Sequence, residues 1–152
     1  WRTVLRKREN YRSAFHGFDP TKIARYGAED VERLLADSGI IRNRLKIAAT
    51  IQNAKAFLEI QKEFGSFDTF LWQFVGGRPI NHKIIDAKDV PVTIKESAVM
   101  SKDLSRRGCS FVGSTICYAF MQAVGMVNDH QTNCFRYNTG NTLARTRKKF
   151  TA

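Results

Sequence analysis

His130 and Cys134 are the side chains best suited to holding a metal, because the H-x-x-x-C spacing lets an imidazole and a thiolate meet on one side of an ion. Tetrahedral zinc needs four such ligands, and the other candidates in the chain are Cys109, Cys117, His16 and His82. Cys117 sits among Ile116, Tyr118 and Phe120, the setting of a buried apolar thiol. On spacing alone, coincidence is the simpler reading of the pair. Asp129 beside them has two structural alternatives, capping the next turn or orienting His130, and both are preferred here to service as a general base. Neither a glycine-rich nucleotide loop nor a nucleophile elbow is present.

A second kind of chemistry belongs to residues 102–130. The pattern predicts a short helix ending in Arg106 and Arg107, a turn bracketed by Gly108 and Gly113, and an almost wholly apolar helix opening at Gly113-Ser114. Both glycines are expected to supply the positive φ angles that tight reversals require. The first amides of the second helix lack intrahelical partners, and the macrodipole adds partial positive charge there. Such an end suits a phosphate oxygen, with Arg106 and Arg107 alongside. An ordinary helical hairpin with solvated arginines explains the same residues equally well. Trp1, on a basic helix, either packs in the core or walls a pocket for a planar base, and core packing is the safer assignment.

The elements that must position these residues read as helices. Trp1, Val4, Leu5, Tyr11, Ala14 and Phe15 recur at helical spacing over residues 1–18, opposite a basic face of Arg2, Arg6, Lys7, Arg8 and Arg12. Asp19-Pro20 caps a short helix that Gly27 ends, and another follows over residues 29–36. The longest helix is expected over residues 43–63, with Ile47, Ile51, Ala54 and Leu58 on one stripe. Residues 67–75 carry too many aromatics for a surface element, and Gly76-Gly77-Arg78-Pro79 breaks that helix. Residues 80–93 read as a loop, because Pro91 and mixed charges argue against a strand. The fold class is all-α, one domain over residues 1–137, followed by a basic tail over 138–152 that is expected to be disordered.

A chain of 152 residues can bury a real core, and a hydrophobic content of 43% excludes general disorder. No apolar run approaches the roughly 20 residues that span a bilayer, so no membrane association is expected. A net charge of +11 points to a polyanion, nucleic acid first. Three cysteines are an odd number and no disulfide framework, which suggests a reducing compartment such as the cytoplasm. The chain opens at Trp1 inside an amphipathic pattern, and a segment is expected to precede it.

Several stretches together resemble the 3-methyladenine DNA glycosylase I family. They are W-R-T-V-L-R-K-R-E-N-Y (1–11), F-D-P (18–20), D-V-E-R-L (30–34), G-I-I-R-N-R (39–44), K-I (46–47), F-V-G-S-T-I-C-Y-A-F-M-Q-A (111–123) and V-N-D-H (127–130) leading to Cys134. Each is weak alone, but the ordered set is specific. The resemblance implies a helix-hairpin-helix repair enzyme, a monomer acting on double-stranded DNA, that flips an alkylated adenine out of the stack and hydrolyses its bond to deoxyribose. Arg106, Arg107, Gly108, Phe111, Gly113 and Ser114 would then hold the DNA, and Trp1 would stack on the extruded base. His130 and Cys134 would be two of four ligands to a structural zinc, the other two lying upstream of Trp1. Lyase members carry a Lys just after the second hairpin glycine, where this chain has Thr115, so no Schiff-base chemistry is expected. A non-catalytic DNA-binding module is the alternative.

Overall fold

The computed structural model describes residues 2–138. These are mostly helical, as the periodicity predicts. The chain divides into two compact units, one built from residues 1–67 and 105–111, the other from 68–104 and 112–152.

The first unit begins with α1 (Arg2–Arg6) and α2 (Arg8–Ala14). The single helix expected over residues 1–18 is thus interrupted at Lys7 and ends at Ala14. Beyond it, His16, Gly17 and Phe18 all have positive φ, which no helix accommodates. The break lets Phe15 stack between Tyr11 and Phe18, with ring centroids 6.2 and 6.1 Å away. Asp19 then caps α3 (Pro20–Ile23), accepting from the amides of Thr21 and Lys22. Pro20 takes the first helical position, where its missing N–H removes no bond. Next come α4 (Ala28–Ala36) and α5 (Arg44–Phe64), the latter opened by Asn43 Oδ1 accepting from the Lys46 amide. The predicted stripe of α5 is buried at Ile47, Ile51 and Ala54, against Phe15, Ile23, Leu34 and Ile40. Each such isoleucine contributes about 1.5–3 kcal/mol by leaving water.

The second unit contains most of α6 (Phe67–Trp72), then β1 (Ile80–Asn81) and most of α7 (Lys95–Arg106), followed by α8 (Ser114–Ala123) and β2 (Val127–Asn128). A 3₁₀ turn over Gln73–Val75 continues α6, and Phe70 and Leu71 are buried as the aromatic content requires. Two expectations are corrected here. The loop over residues 80–93 contains β1, which pairs in parallel with β2 in the register Ile80 to Val127 and Asn81 to Asn128. Pro91 lies beyond that pairing and so does not obstruct it. The helix before the hairpin starts at Lys95 rather than near Lys102, because Ser97 folds back to accept from the Ile94 amide and cap the turn. The basic tail, apart from Asn138, lies outside the described residues.

Candidate functional site

The hairpin is continuous in the chain but belongs to both units, residues 105–111 to the first and 112 onward to the second. Gly108 has the expected positive φ, +89°. Gly113 does not. Its φ is −58°, and an added Cβ would meet nothing within 4 Å. The left-handed residue of the turn is instead Phe111, at φ +59° and 57% exposed. A type of residue that resists this conformation adopts it here, a signal the sequence does not carry.

Arg107 is turned back onto α5. Its two terminal nitrogens donate to the Glu63 carboxylate at 2.6 and 3.3 Å, and the guanidinium lies 4.9 Å from the Phe64 ring centroid. Arg107, expected to stand ready for phosphate, is thus held by a carboxylate in this fold. Arg106 is exposed. Three residues beyond Arg107, the Asn53 carboxamide accepts from the Ser110 N–H at 2.8 Å and donates to the Ser110 carbonyl at 3.0 Å. Sequence reasoning did not single out Asn53, since nothing in its type distinguishes it from any polar residue on a helix surface.

In the second unit, Gly113 is exposed at the start of α8, leaving that helix end open to solvent. Cys117 is buried and its thiol donates to the Val112 carbonyl at 3.2 Å, a packed thiol as expected. The remainder of α8 is less enclosed than its composition suggests, with Ile116 and Phe120 exposed, as is Val124 just after its end.

His130 Nδ1 and Cys134 Sγ lie 3.7 Å apart. An imidazole nitrogen and a thiolate on one tetrahedral zinc are separated by about 3.6 Å, given bonds near 2.0 and 2.3 Å. The pair therefore fits a shared metal. Among the described residues no third His, Cys, Asp or Glu joins them. His16 bonds the Tyr26 hydroxyl and His82 bonds Asp129, so neither of these earlier candidates is grouped with the pair. Trp1 lies outside the described residues.

Asp129 has neither of the structural roles expected of it. Its oxygens accept from His82 Nδ1 at 2.6 Å, from the Tyr118 hydroxyl and from Gln122 Nε2 at 2.7 Å. Burial pushes its carboxyl upward, but the bonds from Tyr118, His82 and Gln122 outweigh that and hold it below the usual carboxylate value. A carboxylate so engaged is a poor base. The same contacts push the Tyr118 phenol up, through burial and then the facing charge. It is Asn128 that orients His130, accepting its N–H at 3.2 Å while donating to Asn81 Oδ1 and the Tyr137 carbonyl. His82 and Asp129 are 47 residues apart, and the pairing of β1 with β2 brings them together.

Among the described residues the chain is mostly helical and carries a basic, glycine-containing turn, features expected of a helix-hairpin-helix protein. Comparison with known proteins narrows the class. The methyladenine glycosylase family profile matches residues 1–137. DNA-3-methyladenine glycosylase 1 of Escherichia coli is 50% identical over 137 residues, 90% of this chain and 73% of that protein. A crystal structure of 3-methyladenine DNA glycosylase I matches with a TM-score of 0.83 at 52% identity, covering 89% of this chain and 74% of that one. The Staphylococcus aureus 3-methyladenine DNA glycosylase I, solved to describe recognition of 3-methyladenine, matches with a TM-score of 0.83 at 34% identity, covering 89% and 72%. The chain belongs to the methyladenine glycosylase family.

Proposed function

We propose that the chain is a monofunctional DNA-3-methyladenine glycosylase acting on alkylated duplex DNA. The observation that carries this is the ordered identity with enzymes of that name, at one residue in two over nearly the whole chain, on the same backbone. Water forms the new bond to C1′ of deoxyribose, releasing a proton to solvent, and the bond from C1′ to the base nitrogen breaks with its electron pair leaving on the base. N3-methyladenine is cationic in the duplex, so that electron pair neutralises it and no strong acid is required. Thr115 stands where lyase members carry a lysine, so that position supplies no amine for a Schiff base.

In this reading Arg106 and the open amides at Gly113 and Ser114 contact phosphate, supplying sequence-independent affinity. Gly108 lets the chain turn, Phe111 presents an apolar ring at the tip, and Arg107 anchors the turn to Glu63. Trp1 stacks on the extruded base, compensating an unstacking penalty of a few kcal/mol. His130 and Cys134 hold a structural zinc, which would tie the 128–137 loop to ligands contributed from upstream. The metal's part is to cross-link chain segments. Three free thiols, Cys109, Cys117 and Cys134, suit a reducing compartment such as the cytoplasm. No helix among the described residues is long and apolar enough to cross a membrane.

Release of free 3-methyladenine from methylated duplex tests the activity. Base release with an intact abasic strand supports a monofunctional enzyme, and strand nicking contradicts it. Salt-sensitive binding without base release supports the non-catalytic alternative. Zinc content tests the metal, with Cys134→Ser expected to lower it at least tenfold.

A further inference from the structure

Phe111 holds a backbone conformation that disfavours a residue with a Cβ, and it does so at an exposed position where its own packing cannot impose it. Something adjacent must. The residue immediately before it is the one held by α5. Asn53 Oδ1 takes the Ser110 N–H at 2.8 Å, and Asn53 Nδ2 gives to the Ser110 carbonyl at 3.0 Å. Both ends of one carboxamide are thus used on both polar groups of one residue. Only an amide side chain offers a donor and an acceptor at that separation. Aspartate lacks the donor, and alanine lacks both. Beside the resulting tip, the Lys46 ammonium lies 6.0 Å from the Phe111 ring centroid. A cation next to an outward aromatic ring matches the charged and apolar parts of a sugar-phosphate edge.

We propose that Asn53 is a positioning residue for duplex binding: it clamps Ser110 so that Phe111, beside Lys46, is presented outward to the sugar-phosphate backbone. The inference rests on the reading that this hairpin grips DNA. Asn53 itself touches no DNA. Its loss therefore scatters the tip without removing a phosphate contact, and this separates it from a cation that binds phosphate directly.

The test measures duplex dissociation constants across a salt series, with steady-state KM and kcat, for Asn53→Ala. We expect Kd and KM to rise about tenfold, as two hydrogen bonds are lost. The salt slope and kcat at saturating duplex should be retained, and the Ser110 amide should exchange faster. Unchanged affinity, or a salt slope reduced by one unit, overturns the proposal. Should Asn53→Ala fail to fold, Phe111→Gly carries the test. Glycine accepts the positive φ, so retained thermal stability with weaker duplex binding supports the proposal, and unchanged binding overturns it. Gly113→Asp, which the open space at Gly113 admits, separates the two levels of the argument. If it weakens binding while Asn53→Ala does not, the Asn53 assignment alone falls. If it too leaves affinity unchanged, the hairpin is not the DNA anchor and both fall.

Discussion

Arg107 and Glu63 form a two-point ion pair in which the arginine side chain is only 19% exposed and the carboxylate 57%. Nothing in the R-R dipeptide marks Arg107 as the one that reaches Glu63. A guanidinium fixed between a carboxylate and the Phe64 ring is a structural cross-link from the turn to α5.

Arg107→Ala should therefore lower stability by about 1–2 kcal/mol, combining a mostly exposed carboxylate's ion pair with lost packing of the stem. It should leave the salt dependence of duplex binding near the parent value. Arg106→Ala should lower the salt slope by at most about 1. Urea unfolding of the first variant and binding titrations on both read this difference. Matching salt slopes would contradict it.

The two glycines of the turn should also part company. Gly108→Ala forces a Cβ onto φ +89° and to 3.1 Å from Gln52 Nε2, so a loss of about 1–2 kcal/mol is expected. Gly113→Ala enters open space at φ −58° and should stay within about 0.5 kcal/mol of the parent. Thermal unfolding of both variants decides it.

Tyr118→Phe removes one donor from the Asp129 carboxylate, a hydrogen bond to a charged group worth about 1.5–3 kcal/mol. Asp129 is held below its ordinary value in the fold. Its ionised form therefore contributes stability that is complete above the unfolded value near 4 and is lost as pH falls through the lower folded value. The gap between parent and variant should accordingly be constant from pH 6 to 7 and close in strong acid. Unfolding measured along that pH series would show a persistent gap if the bond did not depend on the charge.

Asn128→Asp should destabilise by about 3 kcal/mol. Asn128 is 6% exposed, and its amide donates to two acceptors, Asn81 Oδ1 and the Tyr137 carbonyl. A carboxylate there faces both with no proton to give. The substitution should not raise base release. Chemical denaturation and a release assay at matched folded fraction provide the check.

Much of the helical framework was legible because it depends on neighbours in sequence. Asp19-Pro20 and Asn43 act as caps within three residues of themselves, and the stripe of Ile47, Ile51 and Ala54 follows from the helical repeat. The first helix was over-extended because Phe15 and Phe18 kept apolar spacing while the backbone turned left-handed at His16. The two-residue strands were missed because so short a run has no period of its own. Their pairing is decided between residues 47 positions apart.

The sequence by itself determined the helical class, the family and the placing of the basic turn ahead of an apolar helix, since these follow from local pattern and ordered motif. Only the tertiary structure decided which arginine is engaged by Glu63, that Phe111 rather than Gly113 takes the left-handed conformation, and that Asp129 answers to His82, Tyr118 and Gln122. Each of those depends on a hydrogen-bonding partner brought near by chain folding. A side chain's donors and acceptors are inherent in its type, but the group that satisfies them is set by whatever the packed backbone places within about 3 Å.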